Sequence, residues 1–402
     1  MSIRSVLASL GFACLLAASA NAQVRLEALL EPVRVENGLP ALAAAVAKDG
    51  GIVAIGAVGT RVLGKDIPVS VDDRYHIGSD TKAMTATLAA KLVDEGKLAW
   101  STTVGDVFAS VVPGLKPGFA AITLERLLSH TSGLPSDNEE IAALYVANAY
   151  ESTPTEFRRR MIAEWGTKHE PERTDGKEFR YSNLGYTIVG AIVERIAGEP
   201  WESLIRTWIF APLALKTAGL GPQATTGLYD APVGHAIDDA TGKATPRPWG
   251  PGADVPAAIG PAGNAHMSVG DFATWAAWNA AEGKRGPPIV KPDTLKRLHA
   301  PHVTMQIPNP KPGTPKSGSY GFGWGLAKFD WSAKPLLTHN GSNGMNLATV
   351  LIDPENDLGI AVVTNFPGEK AEAALRDLTK ILYEKFGPGA AVPQSDSAKP
   401  AR

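Results

Sequence analysis

Ser79-Asp80-Thr81-Lys82 sets a hydroxyl and an amine three positions apart, a spacing that puts both on one face of a helix, one turn from each other. The lysine amine can help to take the serine's proton. A helix N-terminus also leaves the serine's own backbone N–H free to point at a developing oxyanion. A helix is expected here because Met84, Leu88 and Leu92 recur at four-residue spacing and Gly96 supplies a left-handed stop. Ser79 is then the first residue of a buried helix. A serine that merely caps a helix would look the same, and a chain of this length holds roughly one Ser-x-x-Lys by chance. Two further elements give the pair its weight. The only Tyr-x-Asn, Tyr181-Ser182-Asn183, stands at the start of a second apolar helix, and Leu336-Leu337-Thr338-His339-Asn340-Gly341-Ser342 is an apolar run that ends in a polar, glycine-containing box. The order is nucleophile helix, tyrosine loop, edge strand.

With these three boxes, the chain resembles the serine hydrolase superfamily that includes class C β-lactamases, DD-peptidase penicillin-binding proteins, D-aminopeptidases and β-lactamase-like esterases. Further landmarks fit the same pattern: Tyr75-His76-Ile77-Gly78, Leu127-Leu128-Ser129-His130-Thr131-Ser132-Gly133-Leu134, Gly260-Pro261-Ala262-Gly263 and Tyr320-Gly321-Phe322-Gly323-Trp324. The resemblance implies Ser79 as nucleophile, Lys82 as buried base, and Tyr181 sharing the proton relay. It implies that Asn183 bonds Lys82 and the substrate, that His339 and Asn340 belong to the substrate-binding box, and that Gly341 lets a substrate backbone approach the strand edge. The N–H of Ser342 would join that of Ser79 in an oxyanion hole. β-Lactamases carry a lysine where His339 stands, and an imidazole is mostly neutral at pH 7, so a substrate carboxylate is attracted less. Lys316-Ser317-Gly318 matches the lysine form of that box, yet it falls in a loop rich in Pro, Gly and Lys at 308–319, before the expected strand instead of after it. His130 is read as structural, satisfying the turn at Gly133.

The expected function is a secreted serine hydrolase that forms an acyl-enzyme and cleaves an amide or ester. D-amino-acid or cell-wall-type peptides and small carboxylic esters are favoured as substrates. The alternatives are a class C-like β-lactamase and a slowly deacylating penicillin-binding sensor. No metal or organic cofactor is implied. There is no Gly-x-Ser-x-Gly, Walker A, Gly-x-Gly-x-x-Gly or His-Glu-x-x-His motif, and His299-Ala300-Pro301-His302 reads as a surface turn.

The 402 residues are 44% hydrophobic and 20% charged, a globular composition. Residues 1–22 hold Arg4, a short apolar run and Ala20-Asn21-Ala22, which read as a signal peptide cleaved before Gln23. The only cysteine, Cys14, lies within it, so the mature chain has no thiol chemistry. Without Arg4 the chain carries 38 basic and 41 acidic residues. That balance argues against nucleic acid or an anionic membrane surface as partner, and after signal cleavage no stable membrane insertion is expected; the partner is a small-molecule or peptide substrate.

Helices are expected at 26–35, 79–95, 124–129, 139–149, 155–165, 183–197, 201–210, 269–281, 292–298 and 369–386. Strands are expected at 41–47, 52–57, 321–329, 336–339, 347–352 and 358–363, with a hairpin at Asp49-Gly50-Gly51. Strands at both ends of the chain around a helical middle imply an α/β fold, an α+β sandwich of antiparallel sheet, terminal helices and helical insertion. A single hydrolase domain at 23–386 would comprise a sheet region (23–101 and 301–386) and a helical region (102–300). Residues 387–402 read as a disordered tail, and 219–263 as a long ordered excursion.

Overall fold

A computed structural model describes residues 23–390, apart from 148–151, 174, 239, 308–309 and 311–312. The expected signal peptide and most of the expected tail lie outside the described residues. Fourteen strands are present among these residues: β1 (Val24–Arg25), β2 (Ala41–Lys48), β3 (Gly51–Gly59), β4 (Arg74–His76), β5 (Gly219–Leu220), β6 (Gly234–Ile237), β7 (Ala244–Arg247), β8 (Ala265–Ser268), β9 (Val303–Gln306), β10 (Ser317–Tyr320), β11 (Gly325–Ala327), β12 (Leu336–Ser342), β13 (Leu347–Asp353) and β14 (Leu358–Thr364). Nine form one sheet in the order β1-β3-β2-β14-β13-β12-β11-β10-β9. All its pairings are antiparallel except β1 with β3.

The sheet is covered on both faces, which is why β2 and β14 read as continuous apolar runs instead of alternating ones. Leu42, Ala44 and Val46 of β2 share a core with Leu30 of the Glu27–Glu36 helix and Leu378 of the Glu369–Phe386 helix. Ala43, Ala45 and Ala47 point to the opposite core, with Ala273 and Ala276 of the Val269–Ala280 helix. Small residues here let that helix lie close: a Cβ added at Gly359 would stand 2.7 Å from Ala276 Cβ. The second core continues into the helical region, where the buried Thr81–Asp94 helix packs against the Asn183–Ala197 helix. The architecture is the expected mixed sandwich with a largely antiparallel sheet.

Three local expectations are corrected. Of the strand expected at 321–329, only β11 is strand; 321–324 is a reversal between β10 and β11, in which Gly321 N–H donates to Trp324 O (2.8 Å) and Gly323 takes φ +83°. The alternating Gly-Phe-Gly-Trp pattern serves that turn, which buries Phe322 and Trp324 in the helical-side core. Ser317 and Gly318 lie on β10, not in a loop. His299 is buried at the end of its helix, 3.1 Å from Asn279 Oδ1, while His302 stacks on Phe322 at 3.8 Å. No cluster of three or more His, Cys, Asp or Glu able to hold a metal occurs among the described residues, and no described helix is long and apolar enough to cross a membrane.

Candidate active site

Strand β4 runs directly into Gly78, and a 3-10 turn, Gly78–Asp80, then opens the Thr81–Asp94 helix. Ser79 therefore sits in the turn that leads the helix, one step before the position expected from periodicity. Gly78 is required there by its φ of +51° and by β12, since a Cβ at Gly78 would fall 2.3 Å from Ser342 N. Ser79, in this first turn, has no intrahelical acceptor for its N–H.

Lys82 is fully buried beneath the partly exposed Ser79. Its Nζ lies 3.1 Å from Ser79 Oγ, 2.6 Å from Asn183 Oδ1 and 2.6 Å from the Ala262 carbonyl oxygen. Two of these neighbours can only accept, so they take both N–H donors of a neutral amine and leave its lone pair facing the serine hydroxyl. Burial lowers the Lys82 pKa to about 7, against the raising effect of the Asp137 and Asp80 carboxyls. A free amine is then accessible at neutral pH.

Tyr181 places its hydroxyl within hydrogen-bonding reach of Ser79 and its ring 4.8 Å from Lys82 Nζ. Burial, partly offset by the Ser79 hydrogen bond, raises its pKa, so the phenol keeps its proton. His130 is structural, as expected, but the loop it holds is a different one. It adopts φ +59°, accepts the Ser182 N–H at Nδ1 (3.1 Å), accepts the Arg180 N–H at its carbonyl (2.7 Å), and packs its ring 4.4 Å from that of Tyr181. It thus holds the tyrosine loop, whereas the Gly133 turn packs on the Arg173 backbone. Ser182 caps the following helix by accepting the Gly185 N–H. Asn183 is free of capping duty: its Oδ1 faces Lys82, and its Nδ2 donates to Asp137 Oδ2 at 2.6 Å.

On the far wall, β11 pairs with β12 only at Leu336, Leu337 and Thr338. Among the described residues, no strand pairs with the β12 edge from His339 to Ser342 on that side. His339 and Gly341 face the nucleophile turn. A Cβ at Gly341 would stand 1.8 Å from the Ile77 carbonyl oxygen and 2.8 Å from Asp80 Oδ2. Asn340 points to the other face, as strand alternation dictates, with its Oδ1 accepting from Thr349 Oγ1 (2.9 Å), and it lines the same cleft as His339 and Gly341. Lys316 precedes β10, which is separated from β12 by β11.

His339 is buried, with Nε2 3.0 Å from the Tyr320 hydroxyl and Nδ1 3.4 Å from Asp80 Oδ1. Burial, reinforced by the nearby Lys82 charge, lowers the imidazole pKa to about 3. Burial also raises the Asp80 carboxyl well above its ordinary range, against the opposing pull of Lys82. The imidazole is therefore held neutral, and the β12 box presents no positive charge. A cleft of about 660 Å³ reaches Tyr181, His339, Gly341 and Ser342.

Gly341→Ala is expected to push the end of β12 off the Ile77–Gly78 backbone. Such a displacement should lower kcat/KM at least about 100-fold and the Tm by several degrees, read by steady-state kinetics and a melting curve. A variant with ordinary kinetics would show that the β12 register does not matter.

Asp137, Asp80, Tyr320 and the Ala262 carbonyl were not assigned by sequence reasoning. Ala262 lies within the Gly260-Pro261-Ala262-Gly263 landmark, but no side-chain chemistry marks a carbonyl that catches a lysine.

A helix-borne serine over a buried lysine, a tyrosine loop and an open strand edge on an antiparallel sandwich define a serine hydrolase of β-lactamase architecture. The chain belongs to the Beta-lactamase family, whose profile matches residues 26–384. It is 28% identical over 381 residues to penicillin-binding protein 4 of Amycolatopsis lactamdurans, covering 90% of this chain and 89% of that protein. The octameric penicillin-binding protein homologue from Pyrococcus abyssi superposes with a TM-score of 0.72 at 25% identity, covering 89% of this chain and 77% of that one. The D-amino acid amidase from Ochrobactrum anthropi shares the fold at a TM-score of 0.67 and 21% identity, covering 89% and 95%.

Proposed function

We propose that the protein is a secreted hydrolase in which Ser79 attacks an amide or ester carbonyl and carries the acyl group until water releases it. The arrangement around Lys82 Nζ carries this reading, since two carbonyl acceptors and one hydroxyl leave the amine a single role toward Ser79. Lys82 takes the hydroxyl proton, and Tyr181, which stays protonated, passes one to the leaving group. The N–H groups of Ser79 and Ser342 receive the oxyanion.

Favoured substrates are D-amino-acid derivatives, including cell-wall-type peptides, and small carboxylic esters. The named relatives, a penicillin-binding protein and a D-amino acid amidase, support the first group. Neutral His339 attracts a substrate carboxylate less than an ammonium would, which ranks D-amino-acid amides and neutral esters ahead of β-lactams and of peptides that end in a free D-Ala carboxylate. A panel of D-amino-acid amides, D-Ala-D-Ala peptides, p-nitrophenyl esters and nitrocefin tests the ranking; nitrocefin as the best substrate would overturn it.

The third box gives a sharper test. His339→Lys would place an ammonium in the cleft and should raise nitrocefin acylation relative to a neutral ester. The gain is modest, about tenfold or about 1.4 kcal/mol, because Asp80 can ionise and offset the new charge. Lys316→Ala should leave both rates unchanged. Loss of activity in Lys316→Ala with no change in His339→Ala would make Lys316-Ser317-Gly318 the working box.

Secretion rests on Arg4, the apolar run and Ala20-Asn21-Ala22. Protein recovered from the periplasm or medium should begin at Gln23 by intact mass. A chain retaining Met1, or a lipid on Cys14, would refute the cleavage site.

A further inference from the structure

We infer that Asp254 is a positioning residue that ties together the two halves of the oxyanion hole; the inference rests on the acyl-enzyme reading above. Asp254 lies in the 219–263 excursion, far from Ser79 in sequence, and its side chain is only 5% exposed. One carboxylate oxygen, Oδ1, meets both walls of the site. His76 Nε2 stands 3.0 Å from it, and Asn343 Nδ2 donates to it at 3.1 Å. The Val255 N–H also donates to Oδ1, at 2.7 Å, and so orients the carboxylate on its own loop.

Each arm ends beside an oxyanion donor. On the first arm, His76 Nδ1 accepts the Gly78 N–H at 3.0 Å. A neutral imidazole must then carry its proton on Nε2, the nitrogen that lies 3.0 Å from Asp254 Oδ1. This arm fixes the left-handed Gly78 immediately before the Ser79 N–H. On the second arm, Asn343 follows Ser342 directly. Its Oδ1 accepts the backbone N–H groups of Met345 and Asn346, at 3.2 and 3.1 Å, and so shapes the turn at the end of β12. Asp254 therefore sets the distance between Ser79 N–H and Ser342 N–H without touching substrate.

The same neighbourhood holds His266, paired with His76 across β4 and β8, which burial keeps neutral with a pKa lowered to about 4, and Arg74, which is tied to Asp230 at 2.8 Å. Neither occupies the Asp254–Asn343 arm.

Asp254→Ala should lower kcat about 100-fold, since a displaced oxyanion donor loses most of its value, while KM for a p-nitrophenyl ester changes less than about threefold. Affinity for phenylboronic acid, which forms a tetrahedral adduct on the serine, should fall in step with kcat. Asp254→Asn keeps an oxygen acceptor and should recover most of both losses. A folded Asp254→Ala enzyme with kcat and boronate affinity near wild type, even with a lower Tm, overturns the inference. If Asp254→Ala does not fold, Asn343→Asp, which keeps the Oδ1 acceptor for Met345 and Asn346 but loses the Nδ2 donor to Asp254, decides by the same two assays: about a tenfold loss of both supports it, and no change overturns it. Ser79→Ala run alongside separates the two readings. Its retained turnover would sink the acyl-enzyme reading, whereas an inactive Ser79→Ala beside a normal Asp254→Ala sinks this inference alone.

Discussion

Ser79→Ala is expected to abolish covalent labelling by a fluorophosphonate and to reduce ester turnover by at least about 10⁴-fold, or about 5.5 kcal/mol of transition-state stabilisation. The loss should be chemical, not structural. Ser79 Oγ interacts with Lys82 and Tyr181, and neither needs it to stay in place. Lys82 remains anchored by Asn183 Oδ1 and the Ala262 carbonyl, and Tyr181 remains packed on His130. Alanine suits the start of a helix interior well, so the Tm should stay within a few degrees of wild type. Residual turnover would come from the backbone N–H pair and substrate binding alone. Intact-mass labelling of Ser79→Ala at the wild-type rate would remove Ser79 from the mechanism.

The parts of this site that sequence made legible are those written in local spacing. Ser79 and Lys82 are one turn apart on one helix, Tyr181 and Asn183 open another, and the apolar run from Leu336 announces the strand that carries His339 and Gly341. What stayed hidden depends on chain closure over long separations. Lys82 meets the Ala262 carbonyl 180 residues away, and Asn183 meets Asp137 across 46; a main-chain carbonyl has no signature in residue type. Short strands were hidden for a different reason. β4 has three residues and β8 four, too few to show a period of two, yet they deliver His76 and Gly78 to the nucleophile turn. The sequence pattern at 321–324 misled because glycine and aromatic residues alternate in a tight reversal as readily as in a strand. The contact of His130 with Tyr181 spans two loops, so no local pattern announces it.

The acylation rate should rise with pH through a midpoint near 7 and then hold a plateau, because the free amine of Lys82 is the form that accepts the serine's proton. Burial lowers the Lys82 pKa to about 7, and below that value each pH unit should reduce the rate about tenfold. No other group described in the relay accounts for this limb: His339 titrates near 3, His130 is lowered far below its ordinary value, and Tyr181 is raised above its own. Lys82→Ala should lower acylation by at least about 10³-fold and abolish the limb, whereas Tyr181→Phe should cost about 10- to 100-fold and leave the midpoint in place. The Asp137 carboxyl favours the charged amine, so Asp137→Asn should move the midpoint to lower pH, whatever it does to the height of the plateau. Single-turnover acylation by a p-nitrophenyl ester from pH 5 to pH 9 (about two units either side of the midpoint) measures all of this. A limb that persists in Lys82→Ala, or a midpoint that moves to higher pH in Asp137→Asn, would show that the proton leaves Ser79 by a route other than the buried lysine.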